Sequence, residues 1–131
     1  MRALDTNVLV RALVQDDAAQ GRRAEAFLSA QPVYVPVTVI LELEWVLRSR
    51  YGYSPKAISA AIEKLAILEN AVVGEQEAVI AGARKTRQGW DFADALHHAL
   101  AAGCEDFVTF DTHLARRAGR DDSITPPVVA I

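Results

Sequence analysis

The side chains best suited to chemistry are four carboxylates that lie far apart in the sequence. They are Asp5, Glu42, Asp94 and Asp111. If the fold brings them together, two carboxylates about 5 Å apart repel by roughly 3 kcal/mol at an effective dielectric of about 20, so the cluster needs a cation or raised pKa values. A set of oxygen ligands without cysteine or histidine suits Mg²⁺ or Mn²⁺ rather than zinc. Such an ion activates water for attack on a phosphodiester.

Two of these acids occupy equivalent positions in the sequence pattern. Asp5 and Asp111 each follow a short apolar run and precede a helical segment, and ligands of α/β domains bind where parallel strands end. We therefore expect both carboxylates to reach one crevice from adjacent strands. The hydroxyls of Thr6 and Thr109 and the amide of Asn7 are expected to orient ligands or water there. The structural alternative is that Asp5 and Asp111 only cap helices.

The acids of the third motif also have a structural alternative. Asp91 and Asp94 resemble a capping box at the start of a helix, and for Asp91 capping is the better interpretation. Asp94 shares a helix face with His98, which can pair with it. His97 and His98 do not predict a zinc site, because no further cysteine or histidine stands at ligand spacing. Both histidines are expected at the helix surface or behind the site.

The second motif offers two glutamates, and their neighbours distinguish them. Glu44 precedes Arg48 by four residues on a predicted helix, which favours an ordinary solvated ion pair. Glu42 has no cation at that spacing, so it is the functional candidate. Taken alone, it is also explained as a carboxylate at the boundary of the apolar stripe that reaches water.

Strands and helices alternate along the chain, which predicts an α/β fold with a mainly parallel sheet, right-handed crossovers and helices on both faces. The patterns predict strands over residues 2–4, 33–37, 70–73, 107–110 and 128–131, and helices over residues 8–13, 18–30, 38–51, 55–68, 75–87, 91–102 and 111–118. The seven glycines form neither a dinucleotide-binding nor a phosphate-loop motif, so two common uses of such a sheet are excluded.

Length and composition set broader bounds. A chain of 131 residues suggests a single domain, spanning residues 1–131, with an adequate core. The single cysteine, Cys104, cannot form an internal disulfide, and Asp5 interrupts any signal-like apolar segment. No apolar run approaches the roughly 20 residues that a membrane helix needs. We therefore expect a cytoplasmic protein without a membrane partner.

Charge does not decide whether the partner is a nucleic acid. The formal net charge is −3, from 14 basic and 17 acidic residues, but metal binding by the four acids would leave a basic remainder. The two basic clusters are Arg84-Lys85-Arg87 and Arg116-Arg117-Arg120. Such clusters are more often solvated helix faces than phosphate sites.

Four segments, in order and spacing, resemble the motifs of PIN domains. They are LDTNVLVR at residues 4–11, ILELEWVL at 40–47, DFADAL at 91–96 and TFD at 109–111. The likeness is nearest to the VapC-type toxins of bacterial type II toxin-antitoxin systems. It implies a three-layer α/β/α sandwich and an Mg²⁺-dependent endoribonuclease whose acidic site matches Asp5, Glu42, Asp94 and Asp111. It also implies a homodimer and a cognate VapB-like antitoxin that covers the site and presents a basic residue to the acids.

The resulting hypothesis is hydrolysis of RNA phosphodiesters by Mg²⁺-activated water, with Asp5 and Asp94 as the principal ligands and Glu42 and Asp111 completing the site. One alternative is a non-catalytic PIN-like module whose acids only dock a basic protein tail. That module predicts no Mg²⁺ dependence in any nuclease assay. A second alternative, a phosphatase of small molecules, predicts activity on nucleotide monoesters and none on structured RNA.

Overall fold

The structure is a computed structural model that describes residues 1–131. Its elements, in chain order, are β1 (Arg2–Ala3), α1 (Thr6–Val14), α2 (Ala18–Ala30), β2 (Val33–Val35), α3 (Val37–Ser49), α4 (Pro55–Ala66), β3 (Ala71–Val73), α5 (Gln76–Arg87), α6 (Phe92–Leu100), β4 (Phe107–Thr109), α7 (Thr112–Gly119) and β5 (Val128–Ala130). Every predicted strand and helix is present, and the predicted α/β class is confirmed. The largest difference at a helix start is in α1, which begins two residues earlier than predicted because Asp5 caps it.

All strand pairs are parallel, as predicted, but they form two ladders rather than one continuous sheet. The first has the order β1-β2-β3, with Val33 opposite both Arg2 and Ala71. The second pairs β4 with β5, with Phe107 opposite Val128. The expectation that Asp5 and Asp111 follow adjacent strands is therefore wrong in detail, since β1 contains only two residues and its one partner is β2.

The two ladders have separate apolar cores. The larger core contains 18 buried residues from Leu4, strands β2 and β3, and helices α1 and α3–α6, including Ile40, Leu43 and Phe92. Gly82 of α5 lies against the Phe92 ring, where an added Cβ would be 3.5 Å from the nearest ring atom. The smaller core lies under α7 and contains Trp90 and Leu114. Both cores include residues of α6, so this helix joins the two halves of the fold.

A sharp reversal before α6 sets where that helix begins. Gly89 has φ 98°, a left-handed conformation that side chains with a Cβ rarely adopt, and it follows the last turn of α5. Trp90 then enters the smaller core, and Asp91 caps α6 by accepting a hydrogen bond from the Asp94 backbone N–H at 3.0 Å. The reversal thus places both aspartates at the start of α6.

The interpretation of His98 as a surface residue is wrong, as is its suggested pairing with Asp94. His98 is 1% exposed. Its Nδ1 lies 3.1 Å from Lys85 Nζ and its Nε2 lies 2.8 Å from the Pro126 carbonyl oxygen. An ammonium only donates, so Nδ1 accepts and Nε2–H donates to Pro126. His97 is exposed, as expected.

None of the seven helices is both long and apolar enough to cross a membrane.

Candidate active site

Three of the acids singled out by the sequence are helix caps, and each caps through one oxygen only. Asp5 Oδ1 accepts from the Thr6 N–H at 2.8 Å. Asp91 Oδ1 accepts from Asp94, and Asp111 Oδ1 accepts from the N–H groups of His113 and Leu114 at 2.9 and 3.0 Å. In all three the Oδ2 atom has no hydrogen-bond partner within the protein. The capping alternative is correct, and it leaves one oxygen per carboxylate for a ligand.

Asp5 and Glu42 line one cavity of about 260 Å³ between the start of α1 and the middle of α3. Glu42 forms no ion pair and is exposed, and Trp45 and Arg50 also line this cavity. The Arg50 guanidinium lies 6.0 Å from the Trp45 ring centroid. The structure therefore brings the first two predicted site residues together.

Asp94 belongs to a second acidic group, with Asp91 and Asp111. Partial burial raises the pKa of Asp94, and the negative charges of Asp91 and Asp111 raise that pKa further, while His97 opposes them. Asp91 and Asp111 are thus close enough to Asp94 to disfavour its ionisation. The expected proximity of Asp94 to Asp111 is present.

The side chains as placed do not form one ligand cluster. No three carboxylate, histidine or cysteine side chains are arranged to hold a metal ion. The acids instead form two sets, Asp5 with Glu42 and Asp94 with Asp91 and Asp111. The chemistry of these donors still fits a hard divalent cation, because all of them are oxygens. Besides burial, the negative charges of Asp91 and Asp111 raise the pKa of Asp94, and a bound cation would neutralise that charge.

The predicted supporting residues have different environments. Thr6 is 5% exposed, and its Oγ1 is a buried side-chain oxygen without a hydrogen-bond partner. Thr109 accepts a hydrogen bond from the Asp111 N–H at 2.9 Å and so fixes the turn before α7. Asn7 is exposed and lines the cavity that contains Glu42. Thr109 therefore positions Asp111, whereas the buried Thr6 hydroxyl has no hydrogen-bond partner within the protein.

The predicted pairing of Glu44 with Arg48 is confirmed, but the expectation that Glu44 is solvated is wrong. Glu44 is 4% exposed because it lies on the same buried side of α3 as Ile40 and Leu47. Its Oε1 accepts from Arg48 Nε at 2.8 Å. Glu44 and Asp91 both raise the pKa of Arg48. The pair therefore places a positive charge beside the acids of α6.

The two glutamates of α3 give a first testable prediction. Glu42→Gln should lower catalysis about tenfold or more with little change in unfolding free energy, because Glu42 is exposed and unpaired. Glu44→Gln should instead lower the unfolding free energy by about 1–3 kcal/mol, because it weakens a charged hydrogen bond at a buried site. Urea unfolding and an activity assay on both variants check this. The opposite assignment of effects would show that Glu44 is the functional glutamate.

One of the two basic clusters found in the sequence, Arg84-Lys85-Arg87, is engaged within the fold. Arg84 and Arg87 both bind the Glu63 carboxylate, at 3.2 and 2.8 Å, and so attach α5 to α4. Burial lowers the pKa of Lys85, which contacts His98. Sequence reasoning missed a different set, Arg2, Arg11 and Arg23, which line a cavity of about 640 Å³ beside Asp5. They come from three elements, so no local pattern identifies them.

Parallel strand pairs, helices capped by aspartates and two adjoining acidic sets define an α/β protein with an acidic site and no glycine-rich phosphate loop. The model of the PIN domain family matches residues 2–120, so the chain belongs to the PIN domain family. No curated protein sequence matches the chain. PIN domains are in general nucleases, so family membership supports a nuclease-type function for this protein.

Proposed function

We propose that the protein is a divalent-metal-dependent endoribonuclease that acts as the toxin of a type II toxin-antitoxin system. The observation that carries the nuclease part is the acidic set at the start of α6, where partial burial and then the charges of Asp91 and Asp111 raise the pKa of Asp94. A perturbed acid of this kind is typical of functional sites. Family membership supports the same activity.

Asp5, Glu42, Asp94 and Asp111 would hold Mg²⁺, or Mn²⁺ in its place. When bound, the ion would activate a water molecule and stabilise the negative charge that develops on the phosphate. The protein fixes these side chains through its helix starts, because Asp5 and Asp111 are themselves N-caps. The buried Thr6 hydroxyl can donate to water or to a phosphate oxygen at that site.

The neighbouring residues hold the acidic side chains in place. Thr109 accepts from the Asp111 N–H, and Asp91 accepts from the Asp94 N–H. Arg48, paired with Glu44, lies near Asp91 and offsets part of the negative charge. Replacing these partners should therefore reduce activity indirectly, by changing the orientation or pKa of an acid.

The toxin role, a homodimer, a cytoplasmic location and a VapB-like antitoxin belong to the same proposal. They are supported by the resemblance of the four motifs to VapC-type toxins. An antitoxin tail with a basic residue would complement Asp5 and Glu42, whose cavity is open to solvent. The proposal also includes one domain over residues 1–131, with RNA as the substrate.

The test of the proposed function is cleavage of labelled single-stranded RNA with Mg²⁺, compared with the same reaction in EDTA. We expect cleavage only with the metal, and at least about a hundredfold less cleavage by Asp5→Asn. Removing a metal ligand should lower activity more than removing a residue that only supports a ligand. Asparagine keeps the helix cap, so the fold should persist. Asp122→Asn, at an exposed position without an ion pair, is the control.

The other outcomes separate the alternatives. Equal RNA cleavage with and without EDTA would exclude the metal-dependent mechanism, and no cleavage at all would favour the module that only docks a basic tail. Hydrolysis of nucleotide monoesters without RNA cleavage would favour the phosphatase. Expression of the wild type, but not of Asp5→Asn, should arrest bacterial growth. RNA cleavage without growth arrest would reject the toxin role while retaining the nuclease.

A further inference from the structure

We propose that the cavity between β1, α1 and α2 binds a phosphate group of single-stranded RNA next to the bond that is cut. We call it the arginine cavity, after Arg2, Arg11 and Arg23 in its wall. The proposal rests on the proposed ribonuclease function, and it assigns the part of the surface that holds the substrate strand. It concerns residues outside the acidic sets.

The net positive charge of the arginine cavity favours the binding of an anion. Three arginines line it and face a single carboxylate, Asp5, in a chain whose net charge is −3. Its volume of about 640 Å³ lies within the roughly 300–1,000 Å³ typical of small-ligand sites. A local excess of positive charge on an acidic protein attracts a negatively charged ligand and repels a basic one. A basic protein tail is therefore a poor occupant.

Two of the three guanidinium groups in the arginine cavity are free to bind a phosphate group. Arg11 is engaged, because its Nε donates to Gln20 at 2.6 Å and its Nη1 to Asp16 at 3.0 Å. Arg2 lies over the Phe27 ring at 5.0 Å from the centroid and has no carboxylate partner. Arg23 is exposed and also forms no ion pair.

The contact between Arg2 and Phe27 favours phosphate recognition. The Arg2 guanidinium lies over the ring and makes no ion pair, so its N–H groups remain available, and a guanidinium can bind phosphate through two parallel hydrogen bonds. The ring also restricts the side chain, so less conformational entropy is lost when the ligand binds. Phe27 itself provides an aromatic surface in the same cavity.

The position of the arginine cavity identifies the phosphate as one from the substrate. Asp5, Asn7 and Arg11 line both this cavity and the smaller one that contains Glu42. The two cavities therefore adjoin at Asp5. An RNA strand whose scissile phosphate reaches Asp5 and Glu42 has a neighbouring nucleotide at the arginine cavity. RNA is favoured over an acidic protein segment because RNA must already approach Asp5 to be cut.

The packing of α2 on α1 creates this cavity. A Cβ at Gly21 would lie 3.2 Å from the Arg11 carbonyl oxygen and 2.8 Å from Gln15 Oε1, so a glycine eases the close approach of the two helices. Arg11 on α1 and Arg23 on α2 consequently share one wall. The site is therefore built by a helix contact rather than by a basic run in the sequence.

The test measures RNA binding without cleavage. All variants are made in an Asp94→Asn background, and anisotropy of a fluorescent single-stranded RNA gives Kd in EDTA at several salt concentrations. Arg23→Gln should weaken binding about tenfold, as expected for one charged hydrogen bond. Adding Arg2→Gln should weaken it further and reduce the slope of log Kd against log salt by about 1. Arg22→Gln is the matched control, since Arg22 is the adjacent exposed arginine of α2 and lies outside the cavity wall.

The possible failures are distinguishable. If the wild type cleaves RNA with Mg²⁺ but Arg22→Gln and Arg23→Gln weaken binding equally, or not at all, the arginine cavity is not an RNA subsite and only this inference falls. If the wild type neither cleaves nor binds RNA, the proposed function itself falls. Thermal unfolding of each variant should match that of its background, because Arg2 and Arg23 are exposed and form no ion pair.

Discussion

Asp94→Asn should abolish metal-dependent RNA cleavage and, in the same protein, raise the melting temperature of the metal-free form. The loss of activity follows from removing a proposed ligand and is expected to reach at least about a hundredfold. The gain in stability follows from the pKa of Asp94, which burial and the charges of Asp91 and Asp111 raise. The cap of α6 is unaffected, because Asp91 accepts from the Asp94 backbone N–H.

The sign of the stability change depends on pH. The folded-state pKa of Asp94 lies above its unfolded value, so the folded protein favours the protonated carboxyl. Below the unfolded pKa, about 3.9 for aspartate, the group is neutral in both states and costs nothing. As pH rises through the folded pKa, ionisation lowers the stability of the wild type. Asparagine cannot ionise, so the stability of the variant does not fall in this pH range.

The measurement is the difference in melting temperature between Asp94→Asn and the wild type, in EDTA, from about pH 3.5 to pH 8. The difference should be near zero at the acid end and positive at neutral pH, by about 4 °C for each kcal/mol of repulsion removed. Mg²⁺ should raise the melting temperature of the wild type but not that of the variant. Asp122→Asn should show neither change. A variant that melts at or below the wild-type temperature at neutral pH would contradict the charge argument.

Local rules were enough to predict the acids at the helix starts. Asp5, Asp91 and Asp111 each precede a helical pattern, and capping depends only on the next three residues. The same rules located all the strands and helices. They did not reveal that the strands form two ladders, because pairing is a property of residues distant in sequence.

The two glutamates of α3 show where periodicity stops being informative. Glu42 and Glu44 both flank the apolar stripe in sequence, yet Glu44 is buried and Glu42 is exposed. The packing of α3 against α4 and α6 decides which flank is covered, and that packing is not encoded in α3 alone. Selecting Glu42 by its lack of a cation nevertheless identified the glutamate that lines a cavity with Asp5.

The arginine cavity could not be found from sequence for a related reason. Arg2, Arg11 and Arg23 are separated by intervals that give no charge run, and they meet only where β1, α1 and α2 pack together. The obvious run at residues 84–87 instead contributes two arginines to the Glu63 ion pairs. Counting cations along the chain therefore does not separate arginines that hold the fold together from arginines that are free.

The largest loss of stability from a single polar substitution is expected at His98→Ala. The change leaves Lys85 Nζ and the buried Pro126 carbonyl without their partner. It also removes ring contacts with Trp90 and Phe107, each at 5.8 Å between centroids. An unsatisfied buried group costs about 1–3 kcal/mol and a cavity adds to it, so we expect a total of about 3 kcal/mol. The melting temperature should fall by about 10 °C.

His97→Ala is a closely matched control, since it is the same substitution one residue earlier on the same helix. His97 is exposed, so its replacement should change the unfolding free energy by no more than about 0.5 kcal/mol. Urea unfolding of both variants gives the two values directly. Equal losses would show that His98 does not connect α6 to the C-terminal segment. A selective loss would show that one buried imidazole joins α6, which carries Asp94 in its first turn, to the segment that forms β5. That strand pairs with β4, which leads to Asp111.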